Sequence, residues 1–237
     1  MSKSYFQFKQ FGVRQDRCAM KVSTDGVILG AVAGDGKARA MLEIGVGTGV
    51  VSLMLAQRFG NLKITGLELD KDAYEQAMEN AKNSPWKKKI TFLHYDFKTF
   101  SRDSIHKFDL IVSNPPYFPN HLKSSDTQRN MALHNDSLSF EELIDGVHRL
   151  LLENGRFWVI LPPKEMRALE GKAKAKKLFP GWQLLVKDRA SKQVIREVQV
   201  FSFLFTEKTT EVLIIKDENG AYSIGYSGLL KEFLLIF

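Results

Sequence analysis

The sequence has few of the residues that cross-links, metal clusters and membrane spans require. It contains 237 residues and one cysteine, Cys18, so intrachain disulfides and cysteine-rich zinc sites are excluded. No apolar run approaches the ~20 residues of a membrane-spanning helix, and residues 1–9 lack the apolar core of a signal peptide. We therefore expect a cytoplasmic protein with no membrane partner and no metal. Cys18 lies beside Ala19 and Met20, which favours a packed thiol over a nucleophile.

Positive charge is in modest excess. Lysine and arginine total 34 against 27 acidic residues, for a formal charge of +7 and a sequence pI of about 9.3. A basic surface favours a polyanionic partner such as a nucleic acid. The hydrophobic fraction of 44% is ordinary for a globular domain with a sizeable core.

Strand and helix patterns alternate through the middle of the chain, which predicts an α/β fold with a parallel sheet. Apolar strands are predicted at 40–44, 63–69, 90–95, 108–113 and 156–161. Helices are predicted at 50–58, 72–83 and 164–178, and another after a capping box formed by Ser139 and Glu142. Two antiparallel strands are predicted at 182–187 and 198–205. A C-terminal hairpin is predicted from 211–216 and 222–225 around Asn219-Gly220.

A glycine-rich turn joins the first predicted strand to its helix. Gly45, Gly47 and Gly49 let the backbone turn tightly and approach a ligand. Glu68 closes the next strand about 20 residues on, where a carboxylate accepts both hydroxyls of a ribose. The alternative is a plain strand–helix turn with a solvated Glu68.

The acidic residue before the glycine-rich turn helps to distinguish between two classes of cofactor. Glu43 would repel a pyrophosphate and would suit a cationic sulfonium ligand with an ammonium group. The spacing also departs from the dinucleotide pattern, so S-adenosylmethionine fits better than NAD. Asp96, at the end of the third strand, is predicted to accept the adenine amino group while Phe97 covers the ring; the alternative is a helix N-cap.

Asn114-Pro115-Pro116-Tyr117 follows the fourth predicted strand and indicates the chemistry. The Asn114 side-chain oxygen and the Pro115 carbonyl can each accept one hydrogen of a planar amino group. The prolines fix φ and limit rotation of these carbonyls. Tyr117 can lie flat on a ring. The motif therefore predicts methylation of an exocyclic amine, with no histidine base required.

Together these motifs resemble the class I S-adenosylmethionine-dependent methyltransferases over about residues 38–206. The N-terminal Phe6-x-Phe8-Lys9-Gln10-Phe11, the block 18–31, Asn-Pro-Pro-Tyr-Phe at 114–118 and the polar segment 129–134 resemble the bacterial tRNA1(Val) (adenine-37-N6)-methyltransferase family. One departure is Val32-Ala33, where that family leads us to expect an aromatic residue.

The resemblance implies one domain with a seven-stranded Rossmann-like sheet, helices on both faces and short terminal elaborations. Residues 1–37 would cover the cofactor, 38–206 form the core and 207–237 a C-terminal hairpin extension. The resemblance also implies S-adenosylmethionine as the cofactor and tRNA as the partner, and we expect no obligate protein partner. The predicted cofactor-binding residues are Thr24, Asp25, Glu43, Gly45, Gly47, Gly49, Glu68, Asp96, Phe97 and Asn114.

The predicted catalytic residues are Asn114, Pro115, Pro116 and Tyr117. Substrate and RNA contacts are predicted for Tyr117, Phe118, Lys123, Arg129, Lys164 and Arg167. For any single lysine, a solvated helix face is the alternative.

Three other functions fit parts of the sequence. A protein glutamine methyltransferase shares the amine motif but usually carries a helical N-terminal domain, for which too few residues precede the first core strand. A guanine-N2 methyltransferase of ribosomal RNA is disfavoured by Tyr117. A non-enzymatic RNA-binding module would need neither Glu68 nor the amine motif.

Overall fold

The protein is described by a computed structural model that covers residues 4–116 and 138–237. Its strands are β1 (Tyr5–Gln7), β2 (Gly12–Arg14), β3 (Ala40–Ile44), β4 (Lys63–Glu68), β5 (Ile90–His94), β6 (Phe108–Ser113), β7 (Leu151–Leu161), β8 (Phe179–Lys187), β9 (Val194–Ser202) and β10 (Thr209–Ile214). Its helices are α1 (Thr24–Val32), α2 (Val50–Arg58), α3 (Lys71–Lys82), α4 (Phe97–Asp103), α5 (Phe140–Leu150), α6 (Pro163–Ala175) and α7 (Ile224–Leu230).

Eight of these strands form one sheet, in the order β10-β8-β9-β7-β6-β3-β4-β5. The β3, β4, β5, β6 and β7 strands run parallel to their neighbours within this group, and β9 runs antiparallel to both β7 and β8. Because parallel strands end at the same edge, the loops after β3, β4, β5 and β6 meet there. Ligands of open α/β sheets bind at this carboxyl edge.

Each face of the sheet carries its own apolar core. One core includes Ile28 of α1, Leu53 of α2 and Ile160 of β7. The other includes Leu143 and Val147 of α5 with Leu169 of α6. Burial of apolar side chains on both faces explains why the central strands read as nearly continuous hydrophobic runs.

The predicted α/β sheet with helices on both faces is confirmed, but the strand count is not. The sheet has eight strands in the described residues, one more than predicted. The extra strand is β10, which pairs in parallel with β8 from Thr209–Trp182 to Ile214–Lys187.

The predicted C-terminal hairpin is wrong. Only a single bridge, between Lys216 and Tyr222, spans the Asn219-Gly220 turn. Ser223 then caps α7 by accepting the Tyr226 N–H, so the second half of the proposed hairpin is the start of a helix. The first half joins the main sheet as β10 instead.

The N-terminal segment is held in part by α3. The Asn80 side chain accepts the Arg14 N–H and donates to the Arg14 carbonyl, at 2.8 and 2.9 Å. Gln76 accepts the Arg17 N–H at 3.0 Å and donates to Asp16 at 2.9 Å. These bonds fix the short β1–β2 hairpin against the flank of the domain.

The predicted capping box is confirmed at the start of α5. The Ser139 hydroxyl accepts the Glu142 N–H, and the Glu142 carboxylate accepts the Ser139 N–H at 2.9 Å. These bonds, reinforced by Lys98, hold the pKa of Glu142 below its usual range. The cap fixes where the chain re-enters the fold beside the carboxyl edge of β6.

Candidate active site

A cavity of about 530 Å³ opens at the carboxyl edge of the sheet, between the ends of β3, β4, β5 and β6. Its size lies within the range of small-molecule sites, and its walls are mainly apolar. It is lined by Ile44, Gly45, Leu67, Glu68, Leu69, Asp70, Tyr95, Asp96, Phe97, Ser113, Pro115, Pro116 and Leu138.

The glycine-rich turn bounds one side of this cavity in a conformation that requires glycine. Gly45, Gly47 and Gly49 have φ of 74°, 54° and 81°, in the left-handed region that other residues rarely adopt. The Gly45 and Val46 N–H groups both donate to the Leu67 carbonyl, at 2.9 and 3.1 Å. The turn is therefore held against the end of β4.

Glu68 connects the turn to the cavity. Its Oε2 accepts the Gly47 N–H at 2.7 Å, and its Oε1 accepts the Asp70 N–H at 3.0 Å. A carboxylate has about four acceptor positions, so two backbone bonds orient Glu68 and leave capacity for ribose hydroxyls. Its place in the cavity wall agrees with the predicted role, which stays a prediction.

Glu43 lies beneath the turn and outside the cavity lining. It is 3% exposed. Its carboxylate accepts one hydrogen bond from the Ser52 hydroxyl and another, at 3.1 Å, from the Ser52 N–H. Ser52 lies in the first turn of α2. Burial raises the pKa of Glu43 to about 8, against the opposing effect of the Ser52 bonds. A nearby cationic ligand would favour the ionised form; the charge complementarity predicted for Glu43 stays a prediction.

Asp96 forms the N-cap that was considered from the sequence, and its predicted contact with adenine stays a prediction. It caps α4, with Oδ1 accepting the Thr99 N–H at 2.9 Å and the Thr99 hydroxyl at 3.0 Å. It also lines the cavity, beside the buried Phe97. The cap fixes the orientation of the carboxylate that faces the cavity.

The amine motif begins where β6 ends. The Ser113 hydroxyl donates to the Ile44 carbonyl at 3.0 Å, which ties the ends of β6 and β3 together. Pro115 and Pro116 line the cavity, and Asn114 between Ser113 and Pro115 is half-buried. The motif is therefore brought beside Gly45 and Glu68. Tyr117, Phe118, Lys123 and Arg129 lie outside the described residues.

The structure places Thr24 and Asp25 in a different cavity. Asp25 Oδ2 accepts a bond at 2.6 Å from Nε of Arg196, which lies on β9. Both residues line a second cavity together with Arg196. Their predicted contact with the methionyl part of the cofactor stays a prediction.

Lys164 and Arg167 lie in the first turns of α6, which starts at the carboxyl end of β7. Both side chains are exposed. Farther along the helix, Lys172, Lys174 and Lys176 pair with Glu141, Glu170 and Asp145. Among the described residues, no ion pair engages Lys164 or Arg167, so the positive charge nearest the cavity is the least compensated part of this helix.

Sequence reasoning missed the apolar walls of the cavity. Leu69 and Tyr95 are exposed, at 51% and 42%, just after β4 and β5. His94 fixes the Leu69 carbonyl through a 2.9 Å contact with its Nε2. Their position as the last residues of predicted strands was the available signal, since residues there lie at the carboxyl edge.

Cys18 behaves as a packed thiol. It is buried. Burial, with Glu68 and Asp70 nearby, raises its pKa to about 11. The side chain is therefore a neutral thiol at physiological pH, as its apolar neighbours predicted.

The chain matches the family model "Methyltransferase small domain" over residues 26–189. It is 44% identical to a tRNA1(Val) (adenine(37)-N6)-methyltransferase of Bacteroides fragilis, with 99% of both chains covered. Proteins of the same name from Pedobacter heparinus and Pseudoalteromonas translucida are 40% and 41% identical, with at least 98% of each chain covered.

The chain belongs to this methyltransferase family. The predicted resemblance is thereby confirmed, and the cavity at the carboxyl edge is the place in this methyltransferase where the glycine turn, three carboxylates and the two prolines of the amine motif meet.

Solved methyltransferase structures share the fold of this methyltransferase at low sequence identity. A predicted O-methyltransferase from Agrobacterium tumefaciens has a TM-score of 0.70 at 17% identity, covering 88% of this chain and 96% of that one. TrmN from Thermus thermophilus has a TM-score of 0.52 at 21% identity, covering 76% of this chain and 48% of that one. These structural similarities support the assignment of a methyltransferase fold.

Within the described residues of this methyltransferase, no helix is both long enough and apolar enough to cross a membrane.

Proposed function

We propose that the protein transfers a methyl group from S-adenosylmethionine to N6 of adenine 37 in tRNA1(Val). The main observation in support of this proposal is that Pro115 and Pro116 line the same cavity as Gly45 and Glu68. This proximity would bring a methyl donor and a planar amine together at one edge of the sheet. The names of relatives at 40–44% identity over nearly the whole chain support the substrate.

The residues of the cavity fit the proposed methyl donor. Glu68 would hold ribose hydroxyls, Asp96 the adenine amino group, and the apolar walls at Leu69 and Phe97 the adenine ring. The group would supply an electrophilic methyl on a positively charged sulfur. Glu43, beneath the turn, provides a compensating negative charge when ionised.

The amine motif performs the orientation step. The lone pair of an adenine amino group is delocalised into the ring and is a poor nucleophile. Asn114 Oδ1 and the Pro115 carbonyl would each accept one N–H, which pulls the nitrogen toward tetrahedral geometry and directs its lone pair out of the ring plane. Acceptors placed for the developing positive charge lower the barrier by orientation and electrostatics, and the proton leaves afterwards to water.

The target base must leave its stack to reach this site. An unpaired loop adenine lowers that cost because no base pair has to be broken. The exposed Lys164 and Arg167 would contact phosphates beside the cavity. Tyr117 would stack on the extruded base.

The test is product analysis on purified tRNA. The protein and S-adenosylmethionine are incubated with unmodified tRNA1(Val), and the nucleosides are identified by mass spectrometry. We expect one N6-methyladenosine per tRNA, lost when adenine 37 is replaced by guanine. Unmodified ribosomal RNA and total protein serve as parallel substrates. N2-methylguanosine or methylglutamine in their place would refute the proposal in favour of one of the two methyltransferase alternatives.

A further inference from the structure

A second cavity, of about 520 Å³, lies at the same edge of the sheet beyond β7. Its walls come from the start of α1, the ends of β8 and β10, the start of β9, and α7. The residues that line it include Asp25, Ile195, Arg196, Lys216, Tyr222 and Tyr226.

We propose that this cavity binds an unpaired nucleotide of the RNA substrate other than the one that is methylated. The inference rests on the proposed function and extends it from the reacting base to a second recognition site. The ligand class is a nucleobase with its attached phosphate, held in single-stranded form.

An aromatic wall favours a base. Tyr222 and Tyr226 stack with ring centroids 5.5 Å apart and planes 20° apart, and Phe237 supports Tyr222 edge-on at 5.1 Å. Tyr226 is buried, whereas Tyr222 is 47% exposed. A rigidly supported, half-exposed ring is a platform on which a base can stack, and such stacking tolerates any base.

The charges of the walls favour a nucleotide over a bare anion. Asp25 and Asp188 balance Arg196 and Lys216, and the Asp25–Arg196 pair is fixed at 2.6 Å. A site for an isolated phosphate would carry an excess of positive charge. A wall with both signs suits a base edge, which presents donors and acceptors together.

The position of the cavity separates it from the reacting base. Arg196 lies on β9, two strands from β6 in the sheet order. Neighbouring strands are about 4.8 Å apart, so the cavity begins roughly 10 Å across the sheet from Asn114. That offset is too large for the base gripped at Asn114 and places a different nucleotide of the same loop here.

The test combines protein and RNA changes in a double-mutant cycle. Full-length tRNAs are prepared with one anticodon-loop nucleotide at a time made abasic, leaving the target adenine intact. The kcat/KM for N6-methyladenine formation is measured with wild-type protein and with the variants Tyr222→Ala, Tyr222→Phe and Ile195→Trp. Lys107→Glu is the control, an exposed charge reversal before β6 at the opposite edge.

We expect one abasic position to lower kcat/KM about tenfold in the wild type, in Tyr222→Phe and in Lys107→Glu. The same position should have little effect in Tyr222→Ala, which has lost the platform, or in Ile195→Trp, which fills the cavity. Affinity for S-adenosylmethionine should be unchanged in all variants. If Tyr222→Ala does not fold, Ile195→Trp provides the test, because Ile195 is 40% exposed.

Two results would overturn the inference in distinguishable ways. If the wild type methylates the tRNA and no loop position couples to Tyr222 or Ile195, the second site does not exist and the proposed function stands. If the wild type does not methylate the tRNA, the proposed function falls and this inference falls with it.

Discussion

At the scale of the residue, the buried carboxyl group of Glu43 is unusual because its pKa is strongly raised. It is a buried carboxyl whose pKa is raised to about 8, mainly by burial. Because the pKa of an unfolded glutamate is near 4.5, the folded protein binds an extra proton between these pH values. The contribution of Glu43 to stability is therefore greatest below pH 4.5 and is lost as the pH rises through about 8.

Replacement of Glu43 by glutamine should remove this pH dependence. Glutamine keeps an acceptor for Ser52 and cannot ionise. The wild-type free energy of unfolding should carry a component that falls, by on the order of a few kcal/mol, between pH 5 and pH 9. Denaturant unfolding across this range measures it in the absence of ligand. Equal slopes in wild type and Glu43→Gln would contradict the assigned pKa.

The sequence identified the polar residues of the site better than its apolar ones. Glu68 and Asp96 were predicted because carboxylates at the ends of parallel strands lie at the edge of the sheet where ligands bind. The pairing of Asp25 with Arg196 was not predicted, because Arg196 is 171 residues away and no local pattern indicates that contact.

At the scale of the element, helix α6 separates charges that stabilise the fold from charges available to RNA. Its later lysines are paired with acidic residues, and Lys164 and Arg167 at its start are not paired among the described residues. Surface ion pairs contribute little to stability, but they reduce the field that a phosphate experiences. We therefore expect the start of α6 to be the stronger RNA contact.

The variant Lys164→Ala/Arg167→Ala should bind tRNA more weakly without losing stability. Each phosphate contact contributes roughly 0.7 to 0.9 to the slope of log affinity against log salt concentration. We expect that slope to fall by about 1.5 in the double variant. Lys172→Ala, on the same helix, is the matched control. An unchanged slope in the double variant would show that α6 does not contact the RNA backbone.

Strand β4 is tightly packed beneath the glycine turn at Gly66. A Cβ atom there would lie 2.5 Å from Val46 Cγ2 and 2.6 Å from a ring carbon of Phe92. Contacts this short force the turn or the ring to move. The glycine is therefore required by close approach rather than by its φ angle.

The substitution Gly66→Ala should lower the free energy of unfolding by about 1–3 kcal/mol. It should also weaken S-adenosylmethionine binding, because Val46 belongs to the turn that bounds the cavity. Gly60→Ala is the control, since a Cβ atom there meets nothing within 4 Å. Thermal unfolding and calorimetric titration measure the two effects. Wild-type stability in Gly66→Ala would show that the β4 packing is looser than described.

Local signals predicted β3 to β7, α2, α3, α5 and α6, but they missed α1 and α4 and failed for the C-terminal segment. The capping box at Ser139 was found because it is complete within four residues. The Asn219-Gly220 turn suggested a hairpin for the same reason, but the strand before it is more fully paired by β8 than by the residues after the turn. Pairing between strands distant in sequence has no local signature.

At the scale of the whole molecule, sheet topology creates the site. The Ser113–Ile44 bond joins the ends of β6 and β3, so the amine motif and the glycine turn, some 70 residues apart, share one cavity. Both motifs could be recognised in the sequence, and the parallel pairing of β3 and β6 explains why they lie close together. Methyl transfer to an amine depends on this meeting more than on any single ionisable group.

The most direct test of this account compares two measurements on Asn114→Ala: S-adenosylmethionine affinity by calorimetry and the single-turnover rate of tRNA methylation. We predict an affinity within about threefold of wild type and a rate lower by roughly 100-fold or more, as expected when one oriented hydrogen-bonding group is removed. Asn61→Ala, at an exposed loop position, should match the wild type in both. A wild-type rate in Asn114→Ala, or a loss of cofactor binding that accounts for the slower rate, would contradict the role assigned to the amine motif.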